Sequence, residues 1–436
     1  MNRNQELIEL AKKNIAGGTN SMMRLLPYSL PIVISKADGA FVWDANNAKL
    51  IDLNMGYGPL IFGHRAPVVI DSIKKELDIR GSVLGFVHEL SSEAACLIKK
   101  SFKSIDLLRF SSTGTEVIQT AVRLARTFTK RRKLIVFEGH YHGSSNAVFH
   151  KYHSDVDELE SAGFEHACAG TQGMGDYLAD VIRLPWNDMA ILDETFKKHG
   201  EAIAAVIMEP VMGNAAVIPP KPGYLKEVRD ITTKYGALLI FDEIITGFRV
   251  SRGGAQERYD VQSDITALSK AMNGGVPISA IGGRKEIMDL LTSGEVFHGG
   301  VYSGNPMCVA ATLAVQREFD VRSDCIFNQL EDISAYLKNG FVDIFSRRGI
   351  PIVFQNVGSM LSMTFTKTDD VTPFENYRQI KANADMDRYI KFQHMLQEKG
   401  VYIHPNLFEP WYLCTVHTKN ILDNVLSTVE KVAASM

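Results

Sequence analysis

The chain has 436 residues, of which 45% are apolar and 22% charged, with a formal net charge of −3. That length allows more than one domain, and the composition is that of an ordinary globular protein. The charge offers nothing to a polyanion, so no nucleic-acid partner is expected.

The five cysteines, at 96, 168, 308, 325 and 414, are odd in number and form no Cys-x-x-Cys pair. This argues against a disulfide framework and a structural zinc site, and it suits a cytoplasmic location. The N-terminal stretch MNRNQELIELAKKNIAGG spaces Ile and Leu among charges at helical intervals, without the apolar core of a signal peptide. No run reaches the ~18 apolar residues of a membrane span, so no membrane partner is expected. From about 104 to 300, short apolar runs alternate with amphipathic stretches. Residues 107–110, 134–137, 204–208, 238–241 and 279–281 read as strands buried on both faces, and 117–128 and 223–235 as helices. The pattern predicts a largely parallel sheet under helices. The basic run KRRK at 130–133 reads as a solvated turn, and the Gly-, Ala- and Asp-rich residues 151–180 as a long loop. After about 310 the texture changes. Helices at 310–319 and 328–345 and strands at 350–354 and 361–365 predict a smaller α+β domain.

Ligands of open α/β sheets bind beyond the carboxyl ends of strands, so the residues just past each apolar run carry the chemistry. After 107–110 comes SSTGTEV. Thr113-x-x-Glu116 is a capping-box pattern, and the N–H groups and hydroxyls of Thr113, Gly114 and Thr115 at a helix start suit a phosphate, or serve as a plain cap. After 134–137 comes EGHYHG. His140 and His142 could be half of a metal site, Tyr141 could cover an aromatic ligand, or the whole could be an ordinary turn. After 204–208, Glu209 and Asn214 offer an acceptor and an amide, or brace a turn. The run 238–241 ends in Asp242 and Glu243. A magnesium site there requires a G-x-x-x-x-G-K-[ST] loop, yet the chain has no Gly-Lys dipeptide. G-x-S-x-G and H-E-x-x-H are absent as well. The stretch DITALSKAMNGG brings Lys270 to the end of an apolar run, where burial frees an amine to act as a nucleophile, or where a surface lysine simply succeeds a strand.

Taken together, a phosphate cradle, an aromatic cover, an acid at a strand end and a nucleophilic lysine match the needs of pyridoxal 5′-phosphate. In this reading Asp242 keeps the pyridine nitrogen protonated and Lys270 forms the Schiff base.

These motifs, in this order along nearly the whole chain, resemble the class III (fold type I) pyridoxal-phosphate aminotransferases, and among them most the glutamate-1-semialdehyde 2,1-aminomutases. The resemblance implies an α/β fold with a large cofactor-binding domain over 66–300, its mostly parallel sheet lying between helices. It implies an N-terminal segment over 1–65 serving the small domain and the active site, and a small α+β domain over 301–436. It further implies that Thr113, Gly114 and Thr115 form the phosphate loop and that Tyr141 of YHG stacks on the ring. Asn214 of EPVMGN would lie near the pyridoxal hydroxyl, with Glu209 of the same segment among the cofactor contacts, and Ile244 of DEIITGFR behind the ring. Val301 in GGVYSGNP would reach the neighbouring subunit's phosphate in a homodimer with shared sites. Arg24 in GGTNSMMR would hold the substrate carboxylate, with Ser21 and Tyr57 beside it and Glu409 of LFEPW gating the site. Met22 stands where the family has Pro, Tyr57 where the aminomutases have Trp, and Val301 where they have Thr. The departure at Val301 leaves only a backbone donor for the phosphate; cofactor use is still implied, and what the departures open is the substrate and the choice between transaminase and mutase. The implied activity is an aminotransferase that moves an amino group from a β- or γ-type amino donor to a keto or aldehyde acceptor. The alternative is an intramolecular aminomutase. Intact Asp242 and Lys270 argue against a catalytically dead fold.

Overall fold

The computed structural model describes residues 2–82, 84–164 and 167–436. Two compact units divide the chain. Unit 1 takes Met1–Ala66, Asn328–Pro373 and Asn383–Met436; unit 2 takes Pro67–Phe327 and Phe374–Ala382. The change of texture near 310 lies inside one helix, Pro306–Ser346, which leaves helical geometry at Arg322 (φ −126°, ψ 18°).

Unit 1 begins its sheets with β1 (Ile34–Asp38), β2 (Phe41–Asp44) and β3 (Lys49–Asp52). Unit 2 adds β4 (Leu107–Ser111), β5 (Lys133–Phe137), β6 (Val181–Leu184), β7 (Ile203–Met208), β8 (Leu238–Glu243), β9 (Ile265–Leu268) and β10 (Ser279–Gly283). Unit 1 then resumes with β11 (Ile352–Val357), β12 (Met360–Phe365), β13 (Val401–Tyr402) and β14 (Trp411–Tyr412).

The sheet of unit 2 has the order β4-β10-β9-β8-β7-β5-β6. Strands β5 to β9 all pair in parallel, while β10 lies antiparallel to both β4 and β9. Every residue of β7 and β8 is buried, as central strands of a sheet covered on both faces must be. The helix Gly114–Thr129 buries Val117, Ile118, Ala121, Leu124 and Ala125 against β7, β8 and β9 and ends at Lys130 in the left-handed region, φ 56°. The segment Phe374–Ala382 joins unit 2 through a two-pronged bond from Arg378 to the buried Glu138, at 2.8 and 2.9 Å, and through the Tyr377 hydroxyl, which donates to Ser154 O. In unit 1 the packing is largely aromatic. Phe341 lies 5.4 Å from Trp411, and Phe345 meets Phe365 and Phe392 edge-on. Among the described residues no helix is long and apolar enough to cross a membrane, and no cluster of three His, Cys, Asp or Glu suits a metal ion.

The strand β8 ends in two carboxylates that point to opposite faces, as a period of two requires. Glu243 turns to the fold itself. It accepts from Thr246 Oγ1 at 2.6 Å, Ala255 N at 2.8 Å and Gln256 N at 3.0 Å. A Cβ on Gly254, which has φ 63°, would stand 2.3 Å from Glu243 Oε2, so only glycine fits there. Burial pushes the Glu243 carboxyl up to about 7 from 4.5. The folded state therefore holds the extra proton. Its stabilising effect is full below the unfolded value and fades as pH rises through the folded one. Between pH 5 and pH 8 the wild type should lose ~3 kcal/mol that Glu243→Gln does not lose. Thermal melts of both proteins across that range check this; parallel slopes would refute it.

Candidate functional site

Within unit 2 the carboxyl ends of β5, β7, β8 and β9 bring together most of the expected residues. In the parallel register Asp242 stands opposite Ala267 and Glu243 opposite Leu268, so Lys270 comes directly beyond the end of β9, beside Asp242's strand. Asp242 is 4% exposed. Its Oδ2 lies 2.8 Å from His142 Nδ1, and its Oδ1 accepts from Ile244 N at 3.1 Å.

Lys270 is half-buried rather than buried, and it opens a short turn, Lys270–Met272, with φ 46°. A left-handed lysine is strained by about 1–3 kcal/mol and persists only where its surroundings dictate it. Here the surroundings do. Asn273 Nδ2 donates to Ile278 O, its Oδ1 accepts from Gly275 N and Val276 N, and Ser269 Oγ donates to Ile278 O.

The Thr113–Thr115 turn has the expected capping box. Glu116 N donates to Thr113 Oγ1 at 3.4 Å, and the Glu116 carboxylate accepts from Ser112 N and Thr113 N. First-turn N–H groups have no partner inside their own helix, and at this turn they meet a surface with no room for side chains. A Cβ on Gly114 would stand 2.7 Å from Ile244 Cδ1. A Cβ on Gly143, φ 79°, would stand 2.6 Å from Thr115 Oγ1, which accepts from Ser144 N at 3.2 Å. Ser279 Oγ at the start of β10 donates to Thr113 O at 2.8 Å. The turn, the YHG loop and Ile244 thus pack as one piece.

Glu209 is buried at the centre of this piece. Its two carboxylate oxygens accept from Tyr141 N at 2.7 Å, Gly213 N at 2.9 Å, Asn214 N at 3.2 Å and Asn214 Nδ2 at 2.9 Å. Burial raises its carboxyl above the usual range, with His142 and Asp242 acting in opposite senses. The Tyr141 ring lies 4.9 Å from that of Tyr152. Val301 is exposed in the turn after Gly300.

The residues expected to face substrate fall in unit 1. Ser21 precedes the short turn Met22–Arg24, and Arg24 is exposed. Tyr57 has φ 67° within a run of left-handed residues from Met55 to Gly58. Its hydroxyl donates to Met23 O at 3.0 Å and lies 3.1 Å from His404 Nε2, which is itself 3.0 Å from Met23 O. Burial first, then the Glu409 charge, push the Tyr57 hydroxyl up to about 12, against the pull of Arg24. Arg24, Tyr57 and Glu409 therefore share one electrostatic neighbourhood, in which Glu409 is buried. The sequence reading missed His404 and the tie of His142 to Asp242. The latter pair is 100 positions apart, and a lone histidine carries no mark of its partner.

The family model described as aminotransferase class-III matches residues 27–428. A glutamate-1-semialdehyde 2,1-aminomutase of Sulfurihydrogenibium sp. (strain YO3AOP1) is 38% identical over 429 residues, covering 98% of this chain and 97% of the relative. Among solved structures, an omega-transaminase from Sphaerobacter thermophilus matches with a TM-score of 0.91 at 26% identity, covering 99% of this chain and 97% of its own. A beta-phenylalanine aminotransferase from Variovorax paradoxus matches with a TM-score of 0.86 at 25% identity, covering 99% and 94%.

Proposed function

The chain belongs to the class-III aminotransferase family, and from that premise we propose that it is a pyridoxal 5′-phosphate enzyme that shifts an amino group within one small carboxylate-bearing substrate, as a glutamate-1-semialdehyde 2,1-aminomutase. The observation that carries the reading is the half-buried Lys270, held in a left-handed turn beyond β9, next to the strand that ends in buried Asp242. The full-length likeness to proteins named as that aminomutase supports the intramolecular form.

The residues of unit 2 fit the cofactor. The chemistry the cofactor supplies when bound is an electron sink for charge developing on the substrate carbon. Thr113, Gly114 and Thr115 would hold its phosphate with hydroxyls and first-turn N–H groups. Gly114 leaves the space that a Cβ would fill. Asp242, as an anion, would hold the proton on the ring nitrogen. Tyr141 would cover one ring face and Ile244 the other, with Asn214 at the ring hydroxyl. Glu209 serves by locking the Tyr141 and Asn214 loops in place. The Lys270 amine would hold the aldehyde carbon and then move the proton at the substrate carbon. Arg24 would bind the substrate carboxylate, Ser21 and Tyr57 would line that pocket, and Glu409 would repel a second carboxylate close to the reacting carbon.

A second reading, amino transfer from a β- or γ-type amino acid to a separate keto or aldehyde acceptor, is favoured by the omega-transaminase match and by Tyr57 and Met22 at positions that face substrate in this reading. The two part on stoichiometry. The mutase converts glutamate-1-semialdehyde to the isomer with its amine on C1, one for one, without any donor. A strict need for a donor, consumed one per turnover, would select the second reading. Exposed Phe297, Val301 and Tyr302 support a homodimer in which Val301 serves the neighbouring site. Sedimentation of a fully active monomer would exclude it.

Lys270→Ala should retain bound cofactor, lose turnover and lose the borohydride-fixed cofactor that mass spectrometry detects in the wild type. Asp242→Asn should bind cofactor yet turn over ~10²–10³ more slowly; an unchanged rate would remove Asp242 from its role. Arg24→Ala should weaken KM for carboxylated substrates by ~2–5 kcal/mol and leave uncharged amines nearly unaffected. Equal effects on both would show that Arg24 does not read the carboxylate.

A further inference from the structure

His404, in unit 1, is buried and has both ring nitrogens committed to backbone groups. Asn406 N donates to its Nδ1 at 3.1 Å, so the proton of the neutral ring sits on Nε2. Nε2 lies 3.0 Å from Met23 O, which can only accept. The two partners thus agree on one tautomer. Burial pulls the ring below 6.5, against the backbone at Met23 and Asn406, which favours the neutral form. The Tyr57 hydroxyl closes a triangle, 3.0 Å from Met23 O and 3.1 Å from His404 Nε2. A carbonyl oxygen has two lone pairs, so Met23 O can take both donors. The Tyr57 and His404 rings pack with centroids 5.3 Å apart.

Each side of the His404 ring leads to one of the two charges that the proposed function sets against the substrate. On the Nε2 side, Met23 precedes Arg24 in a turn closed by Arg24 N to Ser21 O at 3.0 Å and by Thr19 Oγ1 to Ser21 O at 3.1 Å. On the Nδ1 side, Asn406 Oδ1 accepts from Phe408 N at 3.2 Å and Asn406 O from Glu409 N at 3.1 Å. The ring itself is braced from behind. The Tyr389 hydroxyl donates to His404 O at 2.9 Å and accepts from Trp411 Nε1 at 3.1 Å. Tyr57 is held in its left-handed backbone by Asp52, whose Oδ1 accepts from Asn54 N at 2.8 Å and Met55 N at 3.2 Å. Burial acts first on the Tyr57 hydroxyl, and the charges that follow are those of Glu409 and Arg24, in opposite senses. A buried imidazole and a strained tyrosine thus meet at the carbonyl of a turn whose next side chain is exposed.

We propose that His404 is a positioning residue for substrate choice: one ring ties the turn of Arg24 to the loop of Glu409 and so fixes the distance between amine and carboxylate that the site accepts. Tyr57 is the second strut of the same clamp. Its hydroxyl is spent on Met23 O, so what it gives the substrate is a fixed wall rather than a hydrogen bond. The ligand class is an amino acid whose carboxylate stands several carbons from its amine. Arg24 would attract that carboxylate at one reach, and Glu409 would repel it at a shorter one. The use of the clamp rests on the proposed function, in which Arg24 and Glu409 face substrate. The clamp itself does not, since it stands on bonds within unit 1.

The test uses the full-length protein with pyridoxal phosphate. His404→Phe keeps a ring against Tyr57 and removes the Nε2 donor, while His404→Gln restores an N–H that can reach Met23 O. In His404→Phe, amide hydrogen exchange over 19–26 should rise about 3- to 10-fold, as expected for one lost hydrogen bond. The stretch 28–33 should keep its wild-type rate, because His394 Nε2 lies 2.7 Å from Tyr28 O and Gln397 Nε2 donates to Leu30 O at 3.3 Å. KM for glutamate-1-semialdehyde should rise about 3- to 10-fold with kcat within about twofold, and His404→Gln should recover most of the loss. Competition by 3-aminopropanoate, 4-aminobutanoate, 5-aminopentanoate and butylamine reads the spacing. The wild type should favour one length of amino acid over the others and over butylamine, and His404→Phe should flatten that preference. Wild-type exchange over 19–26 in a folded His404→Phe protein would overturn the clamp. Faster exchange with an unchanged length preference would overturn the positioning role of His404 alone. A wild type without any length preference would sink the proposal together with the roles of Arg24 and Glu409 in the proposed function. If the protein leaves glutamate-1-semialdehyde unconverted, the aminomutase reading falls, while exchange and competition still judge His404.

Discussion

The most demanding feature of the molecule is a carboxylate at the end of its central strand. The residues of β8 before Asp242 are buried on both faces, and Asp242 itself sees almost no water. A charge in such a place stands only if donors meet it inside the protein. Two do: the N–H of Ile244, two residues on, and Nδ1 of His142, delivered by the turn after β5. The strand order β9-β8-β7-β5 is what makes this possible. It sets Lys270, Asp242, Glu209 and His142 along one end of the sheet, each from a different strand.

Three buried carboxylates near this end of the sheet show how one residue type takes different tasks. Glu243 satisfies itself on the start of a neighbouring helix and on Thr246. Glu209 gathers N–H groups from two loops and keeps none of its oxygens idle. Asp242 is held from one side by a histidine, and it alone of the three has a ring at its closest contact. Their environments, not their identity as acids, separate the structural roles of Glu243 and Glu209 from the chemical role proposed for Asp242.

Much of unit 2 was legible in the sequence because its strands are continuous apolar runs. Strand β6 was not, since Arg183 interrupts it and the loop-like residues 151–180 precede it. Buried Arg183 contacts Ser154 and Cys168, which no local pattern announces. The antiparallel course of β10 also escaped, because hydrophobic runs carry no direction. The helical segments read separately at 310–319 and 328–345 are one helix, Pro306–Ser346, bent at Arg322. Among the site residues, Thr113 was legible through its capping box and Asp242 through its place at a strand end. His142 and His404 were not, since their meaning lies wholly in distant partners. The apolar run before Lys270 predicts a buried lysine, yet Lys270 is half-buried and beyond the strand.

The left-handed backbone at Lys270 has a consequence for how the protein responds to selection. Glycine or asparagine would sit there with less strain than any long side chain. Under the proposed function the position is thus one where the fold and the chemistry want different residues. A screen that scores only heat resistance would enrich replacements of this lysine, and under the proposed function the survivors would be sturdier proteins with nothing left to do.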